Sequence, residues 1–210
     1  MPLVRQVIWQ TTQRVFQQQT VPASEKVVSL FEPHTAIIQR GKAPPRETEF
    51  GRKLWYSEVD GGMITEYRIL TGNPPDEAQW CTSLKNHQRL FKRSPYLATA
   101  DRGVFSERNE QFARDLGVKQ VALPKPGTQN SRRKRREARP WFKAAMRFRA
   151  GIEGRISGLK RARRLDRCHN RGENGLERWV GWGVITNNMV VLATCLARRH
   201  RSKRSTQCSC

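Results

Sequence analysis

The stretch from Trp141 to Arg164 constrains this chain more than any other. Trp141, Phe142 and Phe148 give it an apolar face, while Arg147, Arg155, Lys160, Arg161, Arg163 and Arg164 supply cations. A helix of this composition must lay its apolar side on another layer and turn its charge outward. Gly151, Gly154 and Gly158 lower its intrinsic propensity, so it depends on that packing and permits close backbone approach. At about 100° per residue, Glu153 falls roughly 40° from Arg149 and Lys160 roughly 20° from it. One carboxylate therefore shares a face with two cations, a pattern that simple salt bridging would also explain. A second acidic stretch argues for more. The apolar run Tyr96-Leu97-Ala98 leads to Asp101, Arg102 and Gly103, as a buried strand does when it delivers a carboxylate at its C-terminal end. In open α/β sheets that end is where sites are built. Asp101 and Glu153 are the candidate catalytic pair.

The charge balance indicates what such a pair would meet. Forty Lys and Arg against eighteen Asp and Glu give a net charge of +22 and a pI near 11.1. Self-repulsion of that size calls for a polyanion, so nucleic acid is the expected partner. The chain of 210 residues is long enough for one domain with a core, although only 37% of it is hydrophobic. No run approaches the ~20 apolar residues of a membrane span, and no leader pattern opens the chain. The expectation is a cytoplasmic protein with no membrane partner. Cys81, Cys168, Cys195, Cys208 and Cys210 are scattered and odd in number, which fits neither a disulfide framework nor a zinc site. Cys208, Cys210 and His200 make only a weak metal grouping.

In chain order, Leu3 to Gln19 reads as an amphipathic packing helix stopped near Pro22. Val27 to Phe31 and Ala36 to Ile38 read as short strands, and Arg40 to Glu47 as a basic loop. Arg52 to Val59 and Met63 to Leu70 form two strands joined by Asp60-Gly61-Gly62, a hairpin signal with positive φ available at both glycines. Asp60 is therefore a turn residue. Asp76 reads as the cap of a helix reaching Phe91, and Ser106 as the cap of another reaching Leu116, which Gly117 ends. Val118 to Leu123 is a further strand. The run Arg132-Arg133-Lys134-Arg135-Arg136 reads as solvated charge. Trp179 to Leu196 is a closing apolar helix. The three segments expected are 1–24 (helical), 25–196 (catalytic) and 197–210 (a basic disordered tail).

These residues resemble a family. Asp101 in its apolar-Asp-Arg-Gly setting, followed by Arg149, Glu153 and Lys160 at this spacing, is similar to the second acid and the Glu-bearing helix of DDE-type insertion-sequence transposases. Gly41-Lys42, Glu49 to Lys53, Gly72-Asn73-Pro74 with Asp76, and Glu173 to Gly183 agree in order, so the resemblance covers roughly Val27 to Leu192. Met146 stands where the helix signature often carries a Tyr. The family's first Asp, on the first strand of its sheet, has no counterpart upstream of Val27.

The resemblance implies a ribonuclease-H-like α/β fold, a mixed sheet flanked by helices, here lacking its first strand. Val27 to Phe31 is a candidate for that place, which nothing in the sequence assigns to it. It also implies metal-dependent phosphoryl transfer on DNA by an enzyme that forms homo-oligomers, with two Mg²⁺ (or Mn²⁺) ions held by carboxylates. Asp101 and Glu153 would be metal ligands. Arg149, Lys160 and Arg155 would support them or contact DNA phosphate. With the first acid missing, the chain is expected to be a truncated transposase, binding transposon ends and target DNA without cutting alone. Two other readings stand beside this one. One is a non-catalytic basic nucleic-acid-binding protein. The other is an RNA-binding protein stacking bases on Trp55, Tyr56 and Tyr67.

Overall fold

The structure is a computed structural model that describes residues 2–39, 48–162 and 164–207. Gly41, Lys42 and the loop 40–47, like Arg163, Cys208 and Cys210, lie outside the described residues. The chain divides into two compact units. The first comprises Met1–Trp55, Arg68–Pro74 and Asn170–Glu177, and the second Tyr56–Tyr67, Pro75–His169 and Arg178–Cys210.

In the first unit, α1 (Pro2–Thr11) runs into one wider turn, Thr12–Phe16. The strand expected over Val27 to Phe31 does not form. The side chain of Gln10 takes both backbone groups of Val27, accepting from its N–H at 2.9 Å and donating to its carbonyl at 3.0 Å. A backbone satisfied by a side chain has no use for a sheet neighbour. β1 (Ala36–Gln39) and β2 (Thr48–Gly51) pair antiparallel, with Ile38 opposite Glu49. Arg52 stitches this unit together, donating to the carbonyls of His34 and Leu70 and pairing with Glu173 at 2.7 Å. That pairing holds the Glu173 carboxyl below its usual range.

β3 (Lys53–Val59) and β4 (Met63–Leu70) form the expected hairpin, whose distal part lies in the second unit. Gly61 and Gly62 both sit at φ +88°, where a Cβ would be strained, and the Asp60 carboxylate accepts from the Gly61 N–H. A one-turn 3₁₀ segment, Asp76–Gln79, leads into α2 (Trp80–Phe91). Asp76 opens that turn rather than capping it, since Pro75 occupies the cap position. Then β5 (Leu97–Thr99), α3 (Glu107–Asp115) and β6 (Gln120–Ala122) make a parallel β-α-β unit, with Leu97 opposite Gln120. Ser106 caps α3 by accepting from the Asn109 N–H, as expected.

Two helices, α4 (Ser131–Glu137) and α5 (Pro140–Ala162), follow. Phe142 and Ala145 of α5 are buried on Ala122 of β6, with Leu97, Trp141 and Met146 packed around them. Met146 thus occupies its divergent position as part of the core. The last helix, α6 (Gly172–Gln207), is longer than expected at both ends. Residues 197–207 continue it.

Among the described residues the strands make three separate pairs, β1-β2, β3-β4 and β5-β6, rather than one mixed sheet. Helices and strands are both present, as an α/β fold requires. The Val27 stretch, the candidate for the place of the missing first strand, is not a strand, and Gln10 takes both backbone groups of Val27.

Candidate functional site

β5 and α5 bring the candidate residues together because α5 packs directly on β5 and β6. Asp101 lies two residues beyond the end of β5, where its carboxylate accepts from the Arg102 N–H at 2.7 Å and caps the single turn Arg102–Val104. That bond fixes Asp101 at the strand end. From α5, Arg149 reaches across with one nitrogen 2.8 Å from Asp101 Oδ1 and the other 3.2 Å from Glu153 Oε1. One planar guanidinium therefore bridges both acids, which holds their nearest oxygens within roughly 8 Å of each other. Both carboxylates are 69% exposed and Arg149 is 25% exposed, so the acids face solvent over a half-buried cation.

The other two candidates are placed differently. Lys160 is exposed about two turns further along α5, about 10 Å from Glu153 along the axis. Arg155 turns away from the acids. It forms an ion pair with Glu58 of β3, whose side chain is almost fully buried, and its guanidinium lies 5.7 Å from the Phe148 ring. The small cavity at this pair is lined also by Tyr56, Ile64, Ile152, Leu159 and Asn187. Burial there, with Tyr67 nearby, pushes the Tyr56 phenol up to about 12.

A second charged cluster had no clear sequence signal. Glu110 of α3 is buried, and three guanidinium groups converge on it: Arg133 at 2.7 Å, Arg114 at 2.9 Å and Arg136 at 3.0 Å. Arg133 also donates to the Leu123 carbonyl and Arg136 to the Val121 carbonyl at 2.7 Å. The basic run is thus not uniformly solvated: Arg133 and Arg136 turn inward, while Arg132, Lys134 and Arg135 face solvent. Only the (i, i+4) pairs Glu110–Arg114 and Arg133–Glu137 could have been anticipated from spacing.

Comparison with known proteins places the chain in a family. A family model described as the transposase DDE domain matches residues 56–189, more than half of the chain. The chain belongs to the DDE-type transposase family. No curated protein and no solved structure matches. The transposase domain so delimited holds β4, α2, β5, α3, β6, α4 and α5, and so both acids, but not the stretch from Val27 to Trp55 where the resemblance begins. Membership implies the chemistry of DNA transposition, which in this family depends on divalent metal ions.

The fit of such an ion to this transposase domain rests on the donors present. Both acids are exposed oxygen donors of the kind Mg²⁺ takes, one or two at a time with waters and substrate phosphates as its other ligands, and in this structure the Arg149 guanidinium stands between them. Among the described residues, no group of three or more His, Cys, Asp or Glu side chains could hold a metal. Asp60, occupied in its turn, and Glu58, paired with Arg155, do not join the acids.

Proposed function

We propose that this transposase domain binds DNA and holds one divalent cation between Asp101 and Glu153, and that on its own it does not cut the strand. The observation that carries this reading is the shared guanidinium of Arg149, which keeps two acids from distant parts of the chain side by side. When bound, the ion would neutralise charge on a phosphate oxygen. Asp101 and Glu153 would ligate it. Arg149 would hold both carboxylates in register and offset their repulsion when no ion is present. Lys160, exposed along the same helix, would take a DNA phosphate as a point charge. Arg155 has a structural role in this reading, because withdrawing it would strand the buried Glu58 carboxylate. Inactivity follows from the donor count, since a third carboxylate is what lets a pair of ions share one scissile phosphate. A cytoplasmic location would give such a domain access to its substrate.

The test is nicking of supercoiled plasmid in Mg²⁺ or Mn²⁺ by the full chain. Binding without nicking is the expected result. Robust cleavage lost in both Asp101→Ala and Glu153→Ala would overturn the inactivity while keeping the site. The second reading is a DNA-binding module whose carboxylates serve only to neutralise Arg149, favoured by the closed ion triad itself. Calorimetry with Mn²⁺ separates the two: Glu153→Gln should weaken ion binding on the first reading, and on the second neither protein should bind the ion.

A further inference from the structure

One side of α6 is bonded into the second unit and the other is bare. On the bonded side Val180 and Val184 are buried. Asn188 accepts from the Ile64 N–H at 2.9 Å and donates to the Ile64 carbonyl at 2.8 Å, and Asn187 donates to the Gly62 carbonyl. Gly181 lies so close to Tyr67 that a Cβ would fall 2.9 Å from its hydroxyl. On the bare side Trp182, Ile185, Met189, Val190, Leu192 and Leu196 are all exposed, with Trp182 67% and Met189 66% exposed.

This bare surface is a broad face, not a narrow seam. Val190 and Leu192 point roughly 160° apart about the axis, and both are exposed. From Trp182 to Leu196 the face runs roughly 21 Å. Its hydroxyl groups are already satisfied: Thr186 donates to the Trp182 carbonyl and Thr194 to the Val190 carbonyl, each at 2.8 Å. A hydroxyl bonded back onto its own helix has no need of water. No charged residue occurs from Trp179 to Ala197.

Cations stand at both ends of the face. Arg178, four residues before Trp182, and Arg199, three after Leu196, are exposed, and those spacings put both on the bare side. Arg198 is exposed beside them. The sequence continues with Arg201, Lys203 and Arg204, and no Asp or Glu follows Glu177. An apolar face closed at each end by cations complements a surface that is apolar beneath and anionic on top. Nucleic acid offers the charge without the apolar layer, and a single partner helix would cover only a seam.

We infer that α6 lies in the plane of an anionic lipid surface. Trp182, Met189 and Leu196 enter the acyl boundary, and Arg178, Arg198 and Arg199 meet the lipid phosphates. The stretch Gly172–His200 also has the length and mean hydropathy, 1.5, of a membrane span, contrary to the expectation that none exists. It rests on the surface instead of crossing it, because Val180, Val184, Asn187 and Asn188 tie its other side to the protein. This inference is independent of the acid pair, so a failure of either leaves the other standing.

The test is flotation of the full chain with phosphatidylglycerol–phosphatidylcholine vesicles, first at low salt and then at about 0.5 M, where exposed charges are screened beyond roughly 4 Å. The wild type should float at both. Met189→Gln and Leu196→Gln together, which leave the charge unchanged, should float at low salt only, with unchanged far-UV circular dichroism. Brominated phosphatidylglycerol should quench the tryptophan emission that Trp182→Phe removes. Four outcomes would overturn the proposal: no flotation, a wild type released by salt as fully as the double variant, emission of Trp182 untouched by brominated lipid, or a double variant that still floats at the higher salt.

Discussion

Arg149 and Glu110 each hold more than one opposite charge, yet removing them should have very different effects. Arg149 bridges two carboxylates that water already reaches, so each bond is an exposed ion pair of small net value. Glu110 lies 6% exposed beneath three guanidinium groups, two of which also bind strand carbonyls. Deleting it would take the counter-charge from Arg114 and Arg136 and leave the largely buried Arg133 with Glu137 alone. Arg149→Ala should therefore lower unfolding stability by no more than about 1 kcal/mol, whereas Glu110→Ala should lower it by about 3–5 kcal/mol. Urea titrations of the two variants would compare them directly, and equal losses would refute the ranking. The sequence showed the first group plainly, because a strand-end acid and a helix pattern are local signals. Of the second it offered only the (i, i+4) pairs within each helix, because α3 and α4 meet only through folding.

At the scale of elements, α4 is held by its charges. Burial would raise the Glu137 carboxyl, but hydrogen bonds from Arg133, the Lys125 N–H and Gln129 outweigh it and hold the group below its ordinary value. A lowered value in the folded state means the bound form is the ionised one. Its contribution is thus complete above the unfolded value of about 4.5 and is lost as pH falls through the lower folded value. Melting temperature should accordingly drop as pH is taken from 5 toward about 3, and Glu137→Gln should flatten that drop. An unchanged acid slope in the variant would place the loss elsewhere. Among the elements, the hairpin and the β5-α3-β6 unit were readable from alternation and turn residues. The Val27 stretch was not, since an apolar run has no means of announcing that Gln10 will take its backbone. Likewise α6 was read as a shorter closing helix because its apolar residues stop at Leu196, whereas helical hydrogen bonding does not stop with them.

At the scale of the molecule, the +22 charge determines how DNA binding should respond to salt. Arg133 and Arg136 are committed to Glu110, so on the proposed DNA-binding reading the phosphate contacts of α4 would fall to Arg132, Lys134 and Arg135. Replacing those three with Ala should reduce the slope of log K against log salt by about 2–3 while leaving the fold intact. Fluorescence anisotropy of a labelled duplex across a salt series would measure it, and an unaltered slope would assign the contacts to other cations. By itself, the sequence determined that this is a basic α/β chain with its acids at a strand end and on a helix, because periodicity, turn residues and net charge are properties of the chain. Only the tertiary structure decided which cations are spent inward, that one guanidinium joins Asp101 to Glu153, and which side of α6 is left bare. Those outcomes depend on which surfaces meet, and residues far apart in the chain leave no mark of that on one another's neighbourhoods.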